Sequence, residues 1–134
     1  MALHNHLLLN GWTLNPPVDE EKTIQWMADL VAQIDMKVIK GPFAHYVTAV
    51  GNRGLTATVM IETSHIAMHV WDEDLPAKVQ FDLYTCGELP VKKVLDNLEE
   101  NLGIFNYTHL VLERSEGFVI EDYTKPNKPP IDSV

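Results

Sequence analysis

Cysteine is the scarcest chemistry in this chain: Cys86 stands alone among 134 residues. No intrachain disulfide framework can form, and a multi-cysteine zinc site is excluded. Long apolar runs are missing too. No stretch approaches the roughly 18 consecutive apolar residues of a membrane span, and Leu7-Leu8-Leu9 lacks the length and cationic start of a secretory signal. Positive charge is sparse, with 10 Lys and Arg against 19 Asp and Glu and a net charge of −9. A surface of that sign repels a phosphate backbone, which disfavours nucleic acid as a partner, and attracts cationic ligands. There is neither a short-period repeat nor a low-complexity tract. Together these absences predict a reduced, soluble, cytoplasmic protein with no membrane partner.

What is present suffices for one packed domain. Hydrophobic residues form 46% of the chain, the ordinary globular share, and its length is that of a single domain. Leu7 to Leu9 with Trp12 reads as a short buried strand, ended by Asn15-Pro16-Pro17. Asp19, Glu20 and Glu21 suit a helix N-terminus, and Ile24, Met27, Leu30, Val31 and Ile34 continue at helical spacing, predicting a helix over 19–35. β-rich segments follow at 36–39, 46–50, 55–62 and 65–71, with turns expected at Gly41-Pro42 and at 51–54. After a polar break at Asp72-Glu73-Asp74, Val79, Phe81 and Leu83 alternate with Gln80, Asp82 and Tyr84, the pattern of a half-buried strand. Pro90 and Gly103 bracket a second helix striped by Val91, Val94, Leu95 and Leu98. A last strand sets Leu110 and Leu112 on one face and Val111 on the other. The polar sequence after Arg114, proline-rich over 125–130, reads as an extended or mobile tail. This order predicts an α+β fold: a two-layer sandwich in which two helices pack on one face of a mainly antiparallel sheet.

Three groups in the middle third carry chemistry: Thr63-Ser64-His65, His69, and Tyr84-Thr85-Cys86-Gly87. Singly, each has an ordinary explanation as a turn serine, a satisfied strand histidine and a cysteine packed at a strand end. His4, His6, His65 and His69 could share strand faces and hold a metal. No HExxH or CxxC spacing supports that, and no metal is expected. A Cys86–His69 hydrolase pair would lack any nucleophile motif around Cys86.

Residues 55–86 resemble the short bacterial and archaeal form of S-adenosylmethionine decarboxylase. That family's pattern is Glu-Ser-His, three residues, His, then aromatic-Pro-Glu and later Thr-Cys-Gly. Here the chain reads Thr63-Ser64-His65-Ile66-Ala67-Met68-His69-Val70-Trp71-Asp72-Glu73, then Tyr84-Thr85-Cys86-Gly87. The likeness runs over residues 4–114, so it implies a decarboxylase-like domain over 1–114 and a tail over 115–134.

The resemblance implies that Ser64 becomes a pyruvoyl group. Its hydroxyl would attack the Thr63 carbonyl, the peptide would become an ester, and β-elimination would part residues 1–63 from a pyruvoyl-capped 64–134. His69 matches the histidine of processing, and Thr56 an upstream serine that supplies a hydroxyl. Cys86 matches a cysteine that returns a proton to the product carbon. Trp71 and Glu73 match an aromatic and an acid of substrate binding, suited to adenine stacking and ribose hydrogen bonds. The implied reaction is decarboxylation of S-adenosylmethionine in polyamine (spermidine) synthesis, with the pyruvoyl as electron sink. The implied assembly is a homodimer with its active site at the interface. A basic amino acid substrate such as arginine or ornithine, or a non-cleaving homologue that binds a ligand or partner, are the alternatives.

Departures from the pattern are specific. Thr63 stands for glutamate, Thr56 for serine and Asp72 for proline, and Asn10 occupies a place where an acid is expected. Loss of that acid would weaken recognition of a cationic sulfonium. Ser64 and His69 are five positions apart, so an unbroken strand would put them on opposite faces; a turn, bulge or break near Ser64 is therefore expected.

Overall fold

Period-two burial builds the sheet. Leu7 and Leu9, Ile66, Met68 and Val70, and Val79, Phe81 and Leu83 are all buried at alternate positions, leaving one apolar face per strand that must be covered. The computed structural model describes residues 3–124. Its elements are β1 (Asn5–Thr13), α1 (Glu20–Gln33), β2 (Val38–Val47), β3 (Gly54–Ile61), β4 (Ser64–Trp71), β5 (Ala77–Thr85), α2 (Val91–Leu102), β6 (Phe105–Glu113) and β7 (Val119–Thr124). The strands lie in the order β2-β3-β4-β5-β1-β6-β7, with every neighbouring pair antiparallel. Both helices cover the apolar face through Met27, Leu30, Val31, Val94, Leu98 and Leu102. The two-layer α+β sandwich expected from the sequence is the fold observed.

Local chemistry sets the helix limits. Asp19 is the N-cap of α1, its Oδ1 accepting from Lys22 N–H at 3.0 Å; such a cap stabilises a helix by about 1 kcal/mol. Gly103 ends α2 with φ 63°, its N–H returning to Glu99 O at 3.1 Å. The helices are joined by buried Asn97, which accepts from Trp26 Nε1–H at 2.8 Å and donates to Gln33 Oε1 at 2.7 Å. No helix among the described residues is long and apolar enough to cross a membrane.

Two features differ from expectation. Gly41-Pro42 is not a turn between strands: β2 runs through it, with the register to β3 shifting between Lys40 and Phe43. β2 is an edge strand, where proline's missing N–H and a glycine at φ 93° cost no ladder bond to a further strand. Beyond Arg114, Val119–Thr124 pairs with β6 as a seventh strand; residues 125–134 of the expected tail lie outside the described residues.

One glycine is demanded by contact. A Cβ on Gly54, whose φ is 146°, would lie 1.8 Å from Val70 O, so β3 and β4 can approach there only without a side chain. The sheet face away from the helices carries His6, Leu8, Asn10 and Trp12 on β1, Thr56 and Met60 on β3, His65 and His69 on β4, and Asp82 and Tyr84 on β5. Nothing among the described residues covers it, and Leu8, Trp12, Phe43, Met60 and Tyr123 are exposed.

Candidate active site

The expected break near Ser64 is a tight hairpin. Glu62 and Thr63 form the turn, and Ser64 opens β4 paired to Ile61 and to Thr85. The hairpin puts Ser64 at φ 144°, a backbone region that side chains disfavour and that stores strain. Around it the Thr63–Ser64 peptide is gripped. Thr63 O accepts from Cys86 N–H at 2.9 Å. Thr85 Oγ1–H donates to Thr63 Oγ1 at 2.9 Å and accepts from Gly87 N–H at 3.2 Å. Thr85 is fully buried and Cys86 half-buried. A cleft of about 570 Å³ opens beside Cys86, lined by Leu3, Asn5 and Leu89, and one of about 450 Å³ reaches Thr63 and Thr85 from the helix side.

The remaining expected residues gather elsewhere. Thr56 Oγ1 lies 3.2 Å from His69 Nδ1 across the β3–β4 ladder, and the His69 and Trp71 ring centroids are 6.1 Å apart. Trp71 Nε1–H donates to Asn52 Oδ1 at 2.9 Å, and Glu73 Oε2 accepts from Gly51 N–H at 2.9 Å. Because the turn precedes Ser64, Ser64 and His69 share β4; five steps at about 3.3 Å separate them by about 16 Å. Cys86 lies past Thr85, which pairs with Ser64, whereas His69 pairs with Gln80, so cysteine and histidine sit at opposite ends of the strands. The expected site is thus two half-sites on one chain: Thr63, Ser64 and Cys86 at the hairpin, and Thr56, His69, Trp71 and Glu73 at the far end. His69 faces a groove of about 460 Å³ with Asn10, Gln80, Asp82 and Tyr123.

The four histidines do not form one cluster. His4 Nδ1 is 3.0 Å from Tyr84 Oη. His6 and His65 instead meet at Asp82 Oδ1, at 3.3 and 3.1 Å from their Nε2 atoms. The three donor atoms lie close enough together for a metal ion, but Arg114 Nη1 donates to His6 Nδ1 at 3.0 Å. A neutral His6 then carries its proton on Nε2 and hydrogen-bonds Asp82, with no lone pair facing inward. Burial pushes the Asp82 carboxyl up, yet the hydrogen bonds from His6 and His65 outweigh it and hold Asp82 below the usual range.

Sequence reasoning missed Gly51, Asn52 and Arg53, which bind the Trp71–Glu73 segment. Arg53 Nε donates to Asp72 Oδ1 at 2.7 Å, and Tyr46 Oη–H to Asp72 Oδ2 at 2.7 Å. Asp72, expected as part of a polar break, is buried. No local signal marks a pairing between residues 19 positions apart.

The fold and the motif-bearing residues together define the class: a helix-backed antiparallel sheet with a Ser-His hairpin beside a Thr-Cys-Gly strand end, the arrangement of an S-adenosylmethionine decarboxylase-like protein. The chain belongs to the S-adenosylmethionine decarboxylase family, whose model matches residues 5–115. It is similar to an S-adenosylmethionine decarboxylase proenzyme of Clostridium botulinum, 27% identical over 100 residues that cover 72% of this chain and 81% of that protein. A proenzyme of the same description from Archaeoglobus fulgidus is 36% identical over 62 residues, 46% of this chain and 54% of that one.

Proposed function

We propose that this chain is a cytoplasmic, self-processing decarboxylase of S-adenosylmethionine, pyruvoyl-dependent and homodimeric, serving polyamine (spermidine) biosynthesis. The grip on the Thr63–Ser64 peptide carries the reading. A strained Ser64 backbone at φ 144° and a Thr63 carbonyl accepting the Cys86 N–H at 2.9 Å fit an N-to-O acyl shift. The amide donor polarises the carbonyl and steadies the oxyanion that forms when Ser64 Oγ adds to it. The C–N bond then breaks, the acyl group rests on Oγ as an ester, and the nitrogen of residue 64 is freed. Removal of the Cα proton expels the Thr63 carboxylate, and hydrolysis with loss of ammonia leaves the keto group.

Once made, that group supplies the electron sink for loss of CO₂. The chain's own residues do the rest. Half-buried Cys86, whose N–H holds the Thr63 carbonyl, carries the thiol that can hand a proton to the product carbon. The Trp71 indole offers a stacking face for adenine, and Glu73 an acceptor for ribose hydroxyls.

A processing role for His69 and Thr56 requires a second copy, since their own Ser64 is about 16 Å away along β4. The uncovered sheet face supports this: Leu8, Trp12, Phe43, Met60 and Tyr123 are exposed on a surface of the kind homodimers bury.

Intact mass of freshly purified protein tests the reading. Wild type should give fragments 1–63 and 64–134, the latter with the pyruvoyl mass change, while Ser64→Ala stays at 15.2 kDa. CO₂ release from S-adenosylmethionine, compared with arginine and ornithine, then identifies the substrate. A wild-type chain that remains whole after prolonged incubation makes it a non-cleaving homologue.

A further inference from the structure

Three consecutive residues, Trp71, Asp72 and Glu73, are each held by one residue of the turn between β2 and β3. Asn52 takes the Trp71 indole N–H and Gly51 gives its N–H to Glu73, both at 2.9 Å. Arg53 holds Asp72 twice, through Nε to Oδ1 and through Nη2 to the backbone carbonyl, each at 2.7 Å. Asp72 N–H closes the loop by donating to Arg53 O at 3.1 Å. The Asp72 side chain is only 4% exposed; a carboxylate so buried is tolerated only when fully paired, and the Tyr46 hydroxyl completes its set at 2.7 Å. Both the side chain and the backbone of this segment are therefore fixed from outside. In the pattern the chain resembles, this position is proline, whose ring stiffens the backbone from within.

The two outer bonds are solvent-exposed, and bonds of that kind add little to stability. They end on an indole N–H and on one carboxylate oxygen, the groups whose direction matters for a ligand. We infer that the Gly51–Arg53 turn is a positioning element for ligand recognition, with Asn52 and Arg53 aiming Trp71 and Glu73 at the adenosyl part of the substrate. This rests on the proposed role of Trp71 and Glu73 as substrate contacts.

The test compares wild type with Asn52→Ala, Arg53→Lys and Asp72→Asn for self-cleavage by intact mass and for turnover of S-adenosylmethionine. Asn52→Ala removes a single exposed acceptor and leaves the fold undisturbed, so it decides the question even if the Asp72 variant unfolds. Cleavage should proceed as in wild type. KM should rise about fivefold for Asn52→Ala and about tenfold for the other two, with kcat within about twofold. Unchanged KM in Asn52→Ala and Arg53→Lys, against a wild type that cleaves and turns over, overturns the inference and leaves the substrate assignment standing. A wild type that neither cleaves nor turns over S-adenosylmethionine overturns both.

Discussion

At the scale of single residues, Asp82 joins more of the sheet than any catalytic candidate does. Its Oδ1 meets His6 from β1 and His65 from β4, and His65 directly follows the strained Ser64. Its carboxyl is held below the ordinary carboxylate value, so its contribution to stability is fully present above the unfolded value of about 4 and is lost as pH falls through the lower folded value. Asp82→Asn should therefore destabilise the protein by about 1–2 kcal/mol at neutral pH, with the difference from wild type shrinking below about pH 4. Chemical denaturation at pH 7 and pH 3 reads both; a difference independent of pH would show that the charge of Asp82 contributes nothing. Asp82 shows in the sequence only as the polar half of an alternation. Ser64, His69 and Cys86 stood out through the resemblance of their segments to a family pattern, whereas a network across three strands leaves no such mark.

Among the elements, β7 depends most on few contacts. Among the described residues it pairs only with β6, and Val119, Ile120 and Tyr123 are exposed. One side-chain hydrogen bond among the described residues fastens it, Asp122 Oδ2 to the buried His109 at 2.9 Å. Asp122→Ala should speed amide exchange over residues 119–124 about fivefold or more while β1 to β5 keep their protection; equal protection in both proteins would assign the strand's hold to its backbone ladder alone. Elements with strong local chemistry were legible: Asp19 and Gly103 mark helix ends, and alternation marks β5. The Gly41-Pro42 pair was misread because glycine and proline look alike in a turn and in the bulge of an edge strand. β7 escaped notice because an edge strand with two solvated sides needs no apolar alternation. Asp72 escaped for a related reason: a charged residue reads as surface unless its partner is known, and Arg53 becomes its partner only after folding.

For the whole molecule, the separation of Ser64 from His69 yields a sharp expectation. If the processing site is composite, Ser64→Ala and His69→Ala chains are each inert alone. A dimer mixed from both holds one complete pairing, Ser64 of one copy with His69 of the other. Coexpression or subunit exchange should then cleave part of the His69→Ala chain, up to about half where dimers mix at random, read by mass. No cleavage in verified mixed dimers would sink the composite site.

The strand order has a further result. β1 lies between β5 and β6, so a cut after Thr63 leaves one piece with β1 to β3 and α1, and another with β4 to β7 and α2. The first piece remains threaded through the second, held by the β1–β5, β1–β6 and β3–β4 ladders. What was one molecule becomes a noncovalent pair whose melting is a dissociation, with a midpoint that moves with concentration. Recovery from denaturant would then change from a first-order event to a second-order encounter, so a chain that is cut after Thr63 would have a single concentration-independent chance to assemble, before the cut.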